Sequence, residues 1–432
     1  MTGRWLSAWG LAAVAFGGAS LIVPLYVVEL GGGAFVLGLL FASSSFGGVP
    51  GALALGNLAD RTGKRRIFVL AAIAVTAATM VAIPLLDSIL AVILANVLLW
   101  LGFAAATPVL TLLVVAGEPE RRWTALIARL NKYQGIGWSL GLAMGSIVIT
   151  IGSRFVDAIT AQRAFFLACA ASATLGFVLG LRTVPRDTGP SADPAPRRLR
   201  RRVRQATRFN VRGASFPFTP ARIDVRQLHP RTFVERFTRE LATYFLAVLL
   251  VFTGFGVFFA PLPAYLAAVG YSSGEIFALY LVLNVGAAAF YGYAARLAEL
   301  YDVAQIHIGG LVTRGVTFSV VAVAGAALGG TLLGLATVTL AFLVVGLTWA
   351  MIAVTAATFV TRLAPAVIRG EALGVYGALV AVGGGVGGLL GGAIAGFGYT
   401  IAFSTAGALV VAGAAVVAVL PWESAPASVP DT

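Results

Sequence analysis

The chain is divided into apolar runs of roughly 20 or more residues, parted by short charged or Gly/Pro breaks. A run of that length is what an α-helix needs to cross about 30 Å of hydrocarbon. The first, Trp5 to Val28, exceeds a signal peptide's apolar region and leads into Glu29-Leu30-Gly31-Gly32 with no A-x-A-like site, so it is expected to be a retained helix. Membrane β-barrels would show alternating strands of about ten residues instead. With 59% hydrophobic and 11% charged residues and a mean hydropathy of +0.94, the 432 residues cannot keep their apolar surface inside a water-soluble core. The class is an all-α membrane protein.

Spans are expected near 5–28, 35–58, 66–86, 89–115, 122–151 and 162–182, then near 241–268, 273–298, 303–327, 331–361, 369–395 and 399–420. Arg4, Arg61 with Lys64 to Arg66, Arg121 with Arg122, and Arg362 with Arg369 all fall on one side. The positive-inside rule makes that side cytoplasmic and puts both termini there, in the plasma or inner membrane. Of 30 basic residues, 15 lie between Arg182 and Arg239, and most others flank apolar runs, so the formal charge of +13 points to membrane topology and away from nucleic acid.

The order is therefore a six-helix unit (1–182), a Pro- and Arg-rich cytoplasmic linker (183–239), a second six-helix unit (240–422) and a short tail (423–432). The stretch 197–208, "RRLRRRVRQATR", is either a solvated charged linker or a segment lying on anionic headgroups. The two units match each other. A shift of 239 sets Phe16, Gly17, Pro24 and Tyr26 on Phe255, Gly256, Pro263 and Tyr265; a shift of 247 sets Gly137, Gly141 and Gly145 on Gly384, Gly388 and Gly392. Two nearly equal offsets in order argue for a duplicated unit, and each glycine set, recurring every four residues, forms a smooth stripe for close helix contact.

Chemistry is sparse. Cys169 is a lone cysteine in an apolar run, there are two histidines, and no G-x-x-x-x-G-K-S/T loop exists, so an enzyme, a metal site and a bound cofactor are not expected. The charged cluster "GNLADRTGKRR" is different. Gly56 and Gly63 allow a tight backbone bend, and Asp60 is suited to a helix N-terminus, where free N–H groups stabilise a carboxylate. Gly56, Leu58, Asp60, Arg61, Gly63, Lys64, Arg65 and Arg66 fit without a gap the G-x-L-x-D-R-x-G-R/K-R/K-R/K signature between helices 2 and 3 of the major facilitator superfamily, which the chain resembles over nearly its whole length. The resemblance implies twelve helices in two pseudo-symmetric bundles, and a latch in which Asp60 meets the start of helix 11, here around Arg369 to Glu371. A decayed second copy keeps Glu299.

The resemblance further implies that helices 1, 4, 7 and 10 line a pathway. Candidates there are Tyr26, Asn96, Trp100, Thr107, Tyr244, Phe252, Trp349 and Thr355, with Asn284 from helix 8, Gln134 and Arg129 from helix 5, and Arg314 from helix 9. Arg129 and Lys132 are equally well explained as snorkelling to headgroups; if Arg129 or Arg314 faces the pore, an anionic substrate follows. Proton coupling calls for an intramembrane carboxylate or histidine, and Glu29 and His307 are the candidates. Drug–proton antiporters of the superfamily carry a proline where this chain has Leu142 and an arginine where it has Leu98, which weakens that particular match. The expectation is a monomeric secondary transporter of a small organic solute, exporting amphipathic compounds; the alternatives are an importer of a sugar or organic anion, or a lipid-moving or sensory protein of the same fold.

Overall fold

The computed structural model describes residues 4–46, 64–115, 118–185, 237–364 and 369–420. Within them the chain runs as α1 (Arg4–Glu29), α2 (Ala34–Phe46), α3 (Arg65–Ala82, extended by a 3₁₀ turn Ile83–Leu85), α4 (Ile89–Val115), α5 (Glu120–Gly152), α6 (Ala158–Thr183), α7 (Arg239–Phe259 continued by Leu262–Ala268), α8 (Ser273–Leu300), α9 (Val303–Leu328), α10 (Leu332–Leu363), α11 (Arg369–Ala395) and α12 (Tyr399–Ala418). Eleven of these helices are long and apolar enough to cross a bilayer, and no strand occurs among the described residues. The remainder of the expected second span, the central linker and the terminal tail lie outside the described residues.

Helix is forced by the solvent: with no water to satisfy backbone N–H and C=O groups, each segment must bond within itself. Side-chain caps mark where the runs begin. The Asp157 carboxylate accepts from Thr160 N–H at the start of α6, Ser272 and Glu275 form a reciprocal capping box on α8, and Asp302 and Thr331 cap α9 and α10. Pro261 interrupts α7, since it has no N–H to continue the ladder. Large apolar side chains cover the outside of the bundle, among them Leu94, Leu98, Ile136, Leu140, Ile147, Val316 and Val323, a surface that only lipid tolerates.

The duplication is visible in packing. α1 packs on α5 and α6 as α7 packs on α11 and α12; α3 packs on α4 and α6 as α9 packs on α10 and α12. The α1–α2 and α7–α8 turns carry Gly31 and Gly270, both left-handed at φ +84° and +96°, and they stand 239 positions apart, the offset that aligns the halves. A side chain there would meet the clash that only glycine escapes.

Among the described residues the halves meet at the ends of the helices remote from the chain termini, hereafter the far face, and along α2 and α11 as far as Phe46 and Gly385. Gly145 of α5 lies against the Phe277 ring of α8, and Gly274 of α8 against Thr150 of α5. In the symmetric pairing, Gly388 lies against Phe41 of α2, and Gly392 against the backbone of Ala34, Phe35 and Gly38. The short Leu262–Ala268 segment of α7 touches α1 nearby. The first two stripe glycines of α5, Gly137 and Gly141, face the backbone of α1 around Gly10 and Val14, and Gly384 faces Gly256 on α7. Each stripe thus serves one contact within its half and one across the halves.

Candidate functional site

Beneath the far-face seal, the two halves enclose a cavity of about 20 Å³, lined by Ala19, Ser20 and Pro24 of α1, Leu37, Leu40, Phe41 and Ser44 of α2, Asn96 and Trp100 of α4, Phe259, Ala260 and Pro263 of the α7 bend, and Tyr280 of α8. That space holds about one water, well short of the few hundred cubic ångströms of a small-molecule site, so this is a contracted arrangement of the halves. Among its polar groups, Asn96 Nδ2 donates to Ser44 Oγ at 2.7 Å, while the Ser44 and Ser20 hydroxyls donate back to their own helices at Leu40 O and Gly17 O. Aromatic walls continue on the N-terminal side through Trp100, Phe103, Trp138, Phe16 and Trp9.

A smaller cavity of about 10 Å³ lies within the second half, among Tyr244, Phe252, His307, Ile352, Ala356 and Tyr376. His307 Nδ1 is 2.7 Å from Thr355 Oγ1, and the ring sits between Tyr244 and Phe359.

Of the residues expected on the pathway, Asn96 and Trp100 reach the cavity between the halves, and Tyr244 and Phe252 reach the smaller one. Tyr26 is buried but engaged elsewhere: its hydroxyl donates to Leu86 O at 3.2 Å and accepts from Arg163, which also pairs with Asp87 at 3.1 Å. Thr107 returns its hydroxyl to Phe103 O, and Asn284 donates to Tyr280 O. Gln134 is buried with its Nε2 lacking a partner, on the α1 side of α5. Arg129 lies on the opposite side of α5, exposed in line with Ile136, Leu140 and Ile147; at about 100° per residue these four share one lipid-facing stripe, so Arg129 stands away from the cavity, as does exposed Lys132.

Glu29 is exposed at the far face and accepts from Gln162 Nε2 at 3.4 Å. At the other face Arg66 donates to Leu181 O at 2.5 Å, meeting a carbonyl in the last turn of α6; Lys64 precedes α3 and Arg65 opens it. Glu299 is exposed near the end of α8. Gly56, Asp60, Arg61 and Gly63 lie outside the described residues, and of Arg369 and Glu371 only the helical backbone is described. The proposed latch therefore has no geometry here.

Residues missed from sequence are Ser20, Ser44, Phe41, Phe259 and Tyr280. The run Ser43-Ser44-Ser45, three hydroxyls inside an apolar stretch, was the available signal for helix 2.

The family model for the Major Facilitator Superfamily matches residues 6–366, most of the chain. The chain belongs to this superfamily. Solved structures share its fold at low identity: the nucleoside transporter NupG (14% identical, covering 96% of this chain and 98% of that one, TM-score 0.72), a POT family transporter in complex with a thioalcohol-conjugated peptide (15%, 97% and 95%, 0.69) and a D-xylose–proton symporter (16%, 97% and 98%, 0.68). No curated protein matches it in sequence. It is thus a multi-pass membrane protein of a transporter superfamily, and α5 pairs with α8 and α2 with α11 where its two halves meet. Among the described residues no group of three or more His, Cys, Asp or Glu gathers, and Cys169 is buried beside Gly18.

Proposed function

We propose that this protein is a monomeric secondary transporter that carries a small amphipathic organic solute by alternating access, and that it exports it across the plasma or inner membrane. The observation that carries the reading is the cavity between the halves, where apolar and aromatic side chains from both units surround a few amide and hydroxyl groups. With the termini in the cytoplasm by the positive-inside rule, the far-face seal is a closed outer door and the linker 183–239 is cytoplasmic. Opening it separates α5 from α8 and α2 from α11, and the signature around Asp60 holds the inner ends together meanwhile. Glu29, beside the seal, and His307, beside the smaller cavity, are the proposed coupling groups.

The test is a thermal-shift screen of the purified protein against metabolites and drugs, repeated across pH and followed by counterflow in proteoliposomes with each hit. Stabilisation and counterflow by amphipathic compounds is the expected result, with pH-dependent affinity marking a coupled proton. Stabilisation without flux for every hit would instead make the protein a sensor.

A further inference from the structure

Arg314 is the twelfth residue of α9, near the middle of a 26-residue span, and its side chain is fully buried. Nη1 is engaged: it donates to Val345 O at 2.7 Å and lies 3.5 Å from Thr348 Oγ1. Nε and Nη2, by contrast, are buried and have no partner, and among the described residues no carboxylate pairs with this guanidinium. Those two nitrogens are the two donors of one edge of the guanidinium plane, the edge that grips a carboxylate with two parallel N–H···O bonds.

Among the described residues the surroundings add donors and flat apolar walls but no anion. The guanidinium carbon lies 4.4 Å from the Phe255 ring centre, 5.7 Å from Phe259, and 5.6 Å from both Phe318 and Trp349. The Trp349 indole N–H and the Tyr291 hydroxyl lie within reach of each other and next to Arg314, and among the described residues neither has another hydrogen-bond partner. Ring faces offset part of the charge, yet they are weak acceptors for N–H groups, and an unpaired charge in the membrane interior is costly. Phe259, one of the rings around the guanidinium, also lines the cavity between the halves, so the cluster and that cavity share a wall.

We infer that the cluster of Arg314, Trp349 and Tyr291 is a binding site for the carboxylate of an aromatic organic acid, the carboxylate seated on the Nε/Nη2 edge and the planar body stacked among Phe255, Phe259 and Phe318. This rests on the transport reading above and names the substrate class within it. The solute brings the acceptor oxygens that no described residue supplies to Nε and Nη2, and the rings that screen the charge in its absence become the wall against which the solute packs.

The probes are 2-naphthoate and its neutral isostere 2-naphthamide, added to the full-length purified protein with thermal stability and tryptophan fluorescence as readouts. Naphthoate is expected to stabilise the protein and naphthamide to do so at least about tenfold less potently. Arg314→Lys keeps the charge but loses the fork, and is expected to weaken naphthoate by a similar factor. Because Arg314 is central to its packing, Trp349→Phe and Tyr291→Phe provide variants that keep the rings; each is expected to weaken naphthoate a few-fold and leave naphthamide unchanged. Equal potency of the two probes, no response to either, or an Arg314→Lys variant that binds naphthoate like the wild type overturns the site. Counterflow separates the two readings: neutral amphipaths that move while naphthoate does not bind leave the transporter without this site, whereas Arg314-dependent binding with no flux of any solute leaves the site without transport.

Discussion

Gln162 on α6 donates from Nε2 to Ser273 Oγ on α8 at 3.2 Å, and the same amide group reaches Glu29 on α1. One buried side chain thereby joins the two halves at the far face, beside the glycine contacts. A bond of this kind is worth about 0.5–1.5 kcal/mol net, so Ser273→Ala is expected to shift the closed-to-open ratio of the far face by about two- to tenfold. The check is maleimide labelling from the far side of Ser20→Cys in a Cys169→Ser background: faster labelling in the Ser273→Ala protein supports the bond, and an unchanged rate removes it from the seal.

The glycines of the seam make a sharper prediction, because what they face differs. A Cβ on Gly392 would strike the backbone of α2 at Ala34, Phe35 and Gly38, which cannot yield as a side-chain tip does, whereas a Cβ on Gly309 would meet open space. Gly392→Ala is expected to cost the far-closed state about 1–3 kcal/mol and to lower counterflow at normal expression. Gly309→Ala should be neutral or stabilising by up to ~1 kcal/mol. Thermal stability and counterflow of the two variants, measured side by side, distinguish packing at the seam from a general intolerance of alanine.

Asp60→Asn, expressed at normal levels, is expected to reduce transport by releasing the inner ends of the halves. Counterflow equal to that of the wild type would show that Gly56, Asp60 and Gly63 do not act as a latch. Arg66 donates to Leu181 O and ties α3 to the end of α6, so Arg66→Ala is expected to lower thermal stability.

Asp157 gives a pH signature outside the membrane. Bonds from the Thr160 side chain and backbone hold its carboxylate below the ordinary value of 3.8. Its capping contribution is therefore fully present above that value and fades as pH falls through the lowered one. Asp157→Ala is expected to reduce the melting temperature at pH 7, with the gap from the wild type narrowing once the pH drops below about 4; a gap that is constant with pH would mean that the charge is irrelevant to the cap.

The helices were legible because a membrane span needs only length and apolarity, and where both ends are described the charged or Gly/Pro breaks between runs set them to within a few residues. The duplication was legible too, since Phe16, Gly17, Pro24 and Tyr26 recur 239 positions later, whereas the matching left-handed turns at Gly31 and Gly270 emerged only in the fold. The site was less so. Arg314 is on a helix packed at the bundle's periphery against α10 and α12, and hydropathy cannot say whether such a residue turns to lipid or inward; Arg129, chemically the same, turned outward. Ser44 was overlooked because a serine in a membrane helix satisfies its own hydroxyl with the preceding turn, as Ser43 and Ser45 do, and only the fold places one of the three against Asn96.

The claim on which the rest stands is that the halves rock about the cavity between them, one face closing as the other opens. Spin labels at Phe155→Cys and Phe397→Cys, in exposed far-face loops of opposite halves, report one face; labels at Arg182→Cys and Leu300→Cys, at the other ends of α6 and α8, report the other. Distances measured by pulsed electron paramagnetic resonance in lipid, with and without a stabilising ligand, are predicted to change in opposite senses at the two faces. Both distances unchanged by ligand, or both moving in the same sense, would contradict the account.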